Sequence, residues 1–257
     1  MELPVNHFKH ALKAGKLQIG MWCNLCSEFA MEVTAGGGMD WLIIDTEHAP
    51  IDMFMLVRQL QATMENKTQP VVRIPWNDMV TVKRVLDAGA QSLLIPMIQT
   101  EEEARNAVAY TRYAPDGVRG SAGPTRASRF MRIKDYAKKA PSEICVLLQV
   151  ETRLGIKNLE KIASVPGVDG VFLGPGDLST DMGHMGNMNH PDVQKVLDEG
   201  IVTIRKCGVA PGILTNDEVR ARHYVDLGAQ FITVGSDVAI LARETERLAE
   251  KYKAWQK

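Results

Sequence analysis

The stretch WLIIDTEHAPIDMFMLVRQLQATM, residues 41–64, passes from one periodicity to another. WLIID (41–45) is continuously apolar until its last residue, as a strand covered on both faces must be. DMFMLVRQLQATM (52–64) then repeats apolar residues at helical spacing. A strand followed by a helix is one β/α unit, and the alternation recurs along the chain. Further apolar runs are IGMWC (19–23), PVVRI (70–74), SLLIPM (92–97), CVLLQVE (145–151), GVFLG (170–174), APGIL (210–214) and FITVG (231–235), which makes eight in all. Helical patterns such as DMVTVKRVLDAGA (78–90) separate most of them. Eight units predict a (β/α)8 TIM barrel, one domain over residues 1–257. At 257 residues and 45% hydrophobic, the chain can fill one large core. The longest irregular stretch, 113–143, exceeds an ordinary connector and is expected to be a lid or an interface element.

Charge and composition narrow the function classes. Lys plus Arg number 30 against 31 Asp plus Glu, a net charge of -1. That balance offers no electrostatic case for nucleic acid or an anionic membrane surface. No apolar run approaches the ~20 residues of a membrane span. MELPVNHFKHALKAGK (1–16) lacks the apolar core of a secretory signal. Four cysteines, at 23, 26, 145 and 207, make no disulfide framework in so long a chain, so a reducing cytoplasm is expected.

In barrel enzymes the active site lies at the carboxyl ends of the strands. The polar residues expected there are Trp22, then Asp45, Glu47 and His48, then Arg73, Gln149, Glu151, Asp177, and finally Ser236 and Asp237. An acid ending a strand often caps the next helix, and a lone histidine after a strand is commonly a packing residue. Arg73 is harder to set aside. It is the only Lys or Arg in the eight predicted strands, and a buried charge is costly unless paired. Glu151 is a candidate for that partner. No predicted strand carries a lysine, which disfavours a Schiff-base mechanism. No histidine cluster marks a strand end, which disfavours the usual zinc site. Glu151 and Asp177 suit a hard cation such as Mg²⁺ or Mn²⁺. Cys23-Asn24-Leu25-Cys26 has no second pair to support redox or metal chemistry. DMGHMGNMNHP (181–191) could suggest soft-metal binding, but is read as a flexible loop before a helix beginning near Pro191.

The ordered blocks QIGMW, DWLIIDTEHAP, QPVVRIPWND, VLDAGAQSLLIPMIQT, TRYAPDGVRG, VLLQVET, GVDGVFLGPGDLS, HPDVQKV and PGIL resemble the HpcH/HpaI aldolases over nearly the whole chain. These are metal-dependent enzymes that make and break bonds to pyruvate. The resemblance implies a class II cleavage of a 4-hydroxy-2-oxo acid to an aldehyde and a pyruvate enolate. It implies Glu151 and Asp177 as ligands of Mg²⁺, Mn²⁺ or Co²⁺, with Gln149 beside them. Arg73 would contact the keto oxygen and enolate. His48 would serve as acid/base, supported by Asp45 or Asp87. Backbone amides of Gly176 and Asp177 would hold the pyruvate carboxylate, and Trp22 and Leu214 would line the substrate. Thr46 and Gly176 depart from the commoner residues of their motifs. GSAGPTRASRF (120–130) also differs, in a region expected near the acceptor end of the site. A homo-hexamer is implied, with the C-terminal helix (about 238–255) exchanged or packed between subunits. Three rivals are a CoA-ester lyase, which would need a basic groove, a phosphoenolpyruvate-mutase-like relative with a phosphate site near VGSD (234–237), and a non-catalytic binding barrel.

Overall fold

The computed structural model describes residues 1–256. Its eight strands are β1 Gln18–Cys23, β2 Trp41–Asp45, β3 Gln69–Arg73, β4 Ser92–Ile95, β5 Cys145–Val150, β6 Gly170–Leu173, β7 Ala210–Leu214 and β8 Phe231–Ser236. They pair in parallel and in chain order, and β8 closes onto β1. Each predicted apolar run is therefore a strand, and β2, β4, β5 and β6 are buried along their whole length. The parallel closure explains the continuous apolar pattern. One face of each strand fills the barrel and the other meets the surrounding helices.

The helices are α1 His7–Lys13, α2 Glu28–Ala35, α3 Met53–Ala62, α4 Met79–Asp87, α5 Glu101–Thr111 and α6 Tyr136–Glu143. They continue as α7 Arg153–Lys157, α8 Leu159–Ala163, α9 Pro175–Asp181, α10 Pro191–Lys206, α11 Glu218–Leu227 and α12 Asp237–Lys253, with a 3₁₀ turn at Ala254–Gln256. Many start on a side-chain cap placed just past a strand end. Asp52, Asp78, Thr152, Asp217 and Ser236 each accept a first-turn amide, and Thr100 with Glu103 forms a reciprocal capping box. No described helix is long and apolar enough to cross a membrane.

The barrel interior is aromatic. Trp41, Phe172 and Phe231 are almost fully buried, with Phe231 5.7 Å from Trp41 and 5.8 Å from Phe172 between ring centres. Gly212 makes room for this layer: a Cβ there would lie 2.3 Å from the Phe231 ring. Helix α1 closes the amino-terminal end of the barrel. Phe8, fully buried, meets Trp41 at 5.1 Å and Phe231 edge-on at 6.0 Å. Asn6 caps α1 and bonds Ser92 Oγ at 2.8 Å, which fixes the plug to β4.

Residues 113–143 lie at that same closed end. Helix α5 starts beyond β4 and runs back against the strand direction, so the chain leaving Thr111 emerges at the amino-terminal face, where α6 leads into β5. Arg119 binds Asp87 at 2.7 Å, the Ala127 amide donates to the Asp87 carbonyl, and the Met1 amino group reaches the Arg132 carbonyl. The expectation of a lid, and the placing of 120–130 near the acceptor end of the site, are thus corrected: within one chain this segment lies opposite the mouth.

Candidate active site

The last residues of β2 and β3 are in register, Asp45 beside Arg73. Asp45 is fully buried. Its Oδ1 accepts Arg73 Nε at 2.9 Å and its Oδ2 accepts Arg73 Nη2 at 2.6 Å, a bidentate fork. Trp22 Nε1 at 3.1 Å and Asn24 Nδ2 at 2.7 Å also donate to Oδ2. The amides of Glu47 and His48 donate to Oδ1 at 3.1 and 3.3 Å. Burial works against this carboxylate, but the bonds and charge of Arg73 outweigh it and hold its pKa below the ordinary value. So Asp45 anchors the Thr46–His48 turn and the Arg73 side chain together. Thr46 adds to the anchor, since its amide and hydroxyl both donate to the Arg73 carbonyl.

Arg73 is held on three sides. Trp22 lies under it, with the guanidinium carbon 4.5 Å from the ring centre. Nη1 approaches Glu47 Oε2 at 2.9 Å. That contact is an ion pair outside good hydrogen-bond geometry, and Glu47 Oε2 has no directed donor. Glu47 is mostly buried, and burial pushes its pKa up to about 7 against the opposing charge of Arg73, with Glu151, Asp45 and Asp177 adding to the rise. The suggested partnership of Arg73 with Glu151 is replaced by Asp45 and Glu47.

Glu151 follows β5 and is 2% exposed. Gln149 Nε2 donates to its Oε2, and the Met97 amide donates to Oε1 at 2.9 Å. Burial raises its pKa against those bonds, and the charge of Asp177 raises it further. Asp177 stands in the first turn of α9. Gln149 Oε1 is buried without a partner. The strand-end glycine Gly174 makes the cradle possible, because a Cβ there would lie 2.5 Å from Glu151 Oε2 and 2.7 Å from Glu151 Cβ. Two repelling carboxylates and an orphaned amide oxygen form an all-oxygen set, which fits a hard divalent cation. Helix α9 has no side-chain cap, and its first intrahelical amide bond is Leu178 to Gly174. The Gly176 and Asp177 amides precede it, and open space lies beside the Gly176 Cα.

The remaining expected residues are less closely joined. The His48 side chain is 67% exposed, and its only ionic neighbour among the described residues is Glu47, at 3.9 Å. Asp45 holds the His48 amide rather than its ring. Asp87 ends α4 at the closed face on Arg119, so neither expected acid reaches the His48 imidazole within one chain. Leu214 ends β7 beside the inner core. Asp237 accepts the amides of Asn24 and Leu25 and so ties the start of α12 to the loop after β1. Cys23 and Cys26 are unbridged, and burial raises both thiols, which leaves neither a nucleophilic thiolate. The sequence reading gave no role to Glu47 and passed over Asn24, Met97 and Gly174. Asn24 and Gly174 directly follow strands, and that position was their available signal.

Residues 18–243 match the HpcH/HpaI aldolase/citrate lyase family. A 4-hydroxy-2-oxo-heptane-1,7-dioate aldolase of Klebsiella pneumoniae is 53% identical over 248 residues, covering 96% of this chain and 94% of that one. Its namesake in Escherichia coli is 52% identical over 250 residues, covering 97% and 95%. Among solved structures, a HpcH/HpaI aldolase/citrate lyase family protein of Burkholderia cenocepacia superposes with a TM-score of 0.93 at 39% identity, covering 97% of this chain and all of that one.

Proposed function

This chain belongs to the HpcH/HpaI aldolase/citrate lyase family, and from that premise we propose a class II aldolase that cleaves a 4-hydroxy-2-oxo acid to pyruvate and an aldehyde. It is a carbon–carbon lyase. The observation that carries the reading is identity above 50%, over nearly the full length, to proteins named for 4-hydroxy-2-oxo-heptane-1,7-dioate. That dioate is the first substrate to test, and its cleavage would yield pyruvate and succinic semialdehyde.

Glu151 and Asp177, with Gln149 beside them, would hold the cation, Mg²⁺ or Mn²⁺ before Co²⁺. When bound, a divalent cation supplies Lewis-acid polarisation of the carboxylate and keto oxygens of a 2-oxo acid. The chain supplies the rest. The amides of Gly176 and Asp177 receive the substrate carboxylate. Arg73 has five N–H donors. Two donate to Asp45, a third lies on the nitrogen that forms the ion pair with Glu47, and the other two can meet the oxygen that gains charge as the C3–C4 bond breaks. Trp22 and Asp45 fix that donor before substrate arrives, so little reorganisation accompanies the reaction. His48 stands at the open mouth, where it can take the 4-hydroxyl proton and return one to the three-carbon product. Glu47 is the acid nearest its ring and is the better orienting partner within one chain. Leu214 borders the substrate from β7. Exposed apolar residues along α12 support a homo-oligomer, for which the hexamer is the expected size.

The test is aldol cleavage of several 4-hydroxy-2-oxo acids, coupled to pyruvate detection, with chelator and with added Mg²⁺ or Mn²⁺. The dioate should give pyruvate only with metal. Metal-independent pyruvate formation, or none from any of the acids, would overturn the proposal.

A further inference from the structure

The loop joining α9 to α10 carries chemistry that the aldolase reading does not use. It holds His184 and His190, and Asp192 follows in the first turn of α10. Their rings stack with centres 3.5 Å apart and planes 13° apart. Asp192 Oδ2 lies 3.9 Å from His184 Nε2 and 3.7 Å from His190 Nδ1. The ligand atoms of the three residues all lie within 4.8 Å of one another. The two carboxylate approaches are too long for hydrogen bonds. The 3.9 Å approach of Asp192 to His184 Nε2 exceeds by only about half an ångström the spacing of two donors each ~2.0–2.1 Å from one ion, and because an imidazole binds an ion in its own ring plane, the two rings must turn out of their stack to share one. Asp192 is the most exposed of the three, its side chain 72% accessible, and can close that gap by rotation.

The loop itself is held in place. The His184 amide donates to the Ser179 carbonyl at 2.7 Å, and the Asn187 amide donates to the His184 carbonyl at 2.9 Å. Gln194, 7% exposed, donates to the Met188 carbonyl at 2.7 Å, and its own oxygen is taken by Tyr224 Oη at 2.8 Å. These bonds fix the backbone that carries the two imidazoles. The simpler account is that His190 merely caps α10, since its Nδ1 accepts the Asp192 amide at 3.3 Å, which leaves Nε2 as its nitrogen for an ion. A cap explains His190 and an acid in the first turn. It does not account for a second imidazole stacked on the cap.

We propose that His184, His190 and Asp192 bind a divalent transition metal, at a site separate from the all-oxygen set at the strand ends. Two imidazole nitrogens and one carboxylate select borderline ions such as Zn²⁺, Ni²⁺ or Cu²⁺ over Mg²⁺. An ion there would clamp the loop directly behind α9, the helix that carries Asp177. The inference stands independently of the aldolase reading, because it concerns binding alone.

The experiment is Zn²⁺ titration of the full chain by calorimetry in saturating Mg²⁺, which occupies the strand-end set. One Zn²⁺ per chain is expected. His184→Phe keeps a ring to stack, and His190→Asn keeps an acceptor for the helix cap, so both variants should fold. Each should weaken that Zn²⁺ binding at least about tenfold. Absence of Zn²⁺ binding by the wild type overturns the proposal. So does equal binding by His184→Phe, and so does binding that Mg²⁺ abolishes, which would place the Zn²⁺ at Glu151 and Asp177.

Discussion

Arg73 shows how one side chain can be both a structural and a chemical requirement. Its fork satisfies Asp45, which is fully buried, so removing the guanidinium leaves a buried carboxylate held only by Trp22, Asn24 and two amides. Arg73→Ala should cost about 3 kcal/mol in stability. It should also lower the rate on the order of 10²-fold, as removal of one oxyanion donor does. Exchange of pyruvate methyl protons with deuterated water separates the two effects, because it reports enolate formation in whatever fraction is folded. Normal exchange in folded, metal-loaded Arg73→Ala would remove Arg73 from the chemistry. Arg73→Lys should fail almost as badly, because an ammonium cannot reproduce a bidentate fork. Glu47 sets a different expectation. Its pKa stands at about 7 when folded, against ~4.3 in an unfolded chain. Between those values the folded protein holds the extra proton. The stabilisation from this group is therefore complete below the unfolded value and is lost as pH rises through about 7. The melting temperature of the metal-free protein should fall over that window, and Glu47→Gln should flatten the fall. Glu151, raised in the same direction, leaves a residual slope. An unchanged slope in Glu47→Gln would show that the carboxyl is already ionised in the fold. The sequence marked Arg73 because a charge in an apolar strand demands a partner. It could not choose the partner, since cross-strand register decides between Asp45 and Glu151 and register is a property of the closed barrel.

At the scale of elements, the eight strands were legible because parallel burial leaves a continuous apolar signal that turns and helices interrupt. Helix α1 was not read as an element. It has only seven residues, and its purpose, plugging the barrel with Phe8, depends on aromatic partners at positions 41 and 231. Phe8→Ala should cost about 3–5 kcal/mol, since the site cannot collapse against the fixed Trp41 and Phe231 rings. A denaturant midpoint shift well under 1 kcal/mol would contradict that packing. The irregular 113–143 segment was legible as unusual but not as to its end of the barrel. The direction of α5 fixes that, and it follows only once β4 is placed. The β6–α9 junction gives a sharper prediction. Gly174 has φ -95, which any residue can adopt, so Gly174→Ala carries no backbone strain and acts only through its Cβ. That atom would displace Glu151. Mn²⁺ affinity, read by electron paramagnetic resonance, should fall on the order of 10–100-fold, as when a group that orients a ligand is lost. Wild-type affinity in a variant with unchanged circular dichroism would mean that Glu151 has room to move and that the cradle is looser than its geometry indicates.

For the whole molecule, α12 is the element that one chain does not explain. Asp237 is its only buried residue over 17 positions. An isolated helix of that length is marginal in water. Yet Val238, Leu241, Leu248, Tyr252 and Trp255 recur at spacings of three, four and seven, and all are exposed. Such a stripe packs against another helix. Exposed Phe29 and Val33 on α2 and Phe54 on α3 offer an apolar surface of matching kind. A helix stripe exposed in this way points to an interaction site, and a second copy of the same chain carries both halves. The single-chain sequence showed the amphipathic pattern, but not its partner, because nothing in a linear pattern distinguishes docking within a chain from docking between chains. If α12 docks between subunits, two charges placed on the stripe, Leu241→Glu with Leu248→Glu, should reduce the mass measured by light scattering. They should also remove the helical signal of α12, while the barrel melts nearly as before. The wild type should scatter as an oligomer, six chains being the expected number. A wild type that scatters as a single chain at micromolar concentration, or a double variant of unchanged mass, would mean that α12 is held by its own barrel in a way its exposure does not suggest.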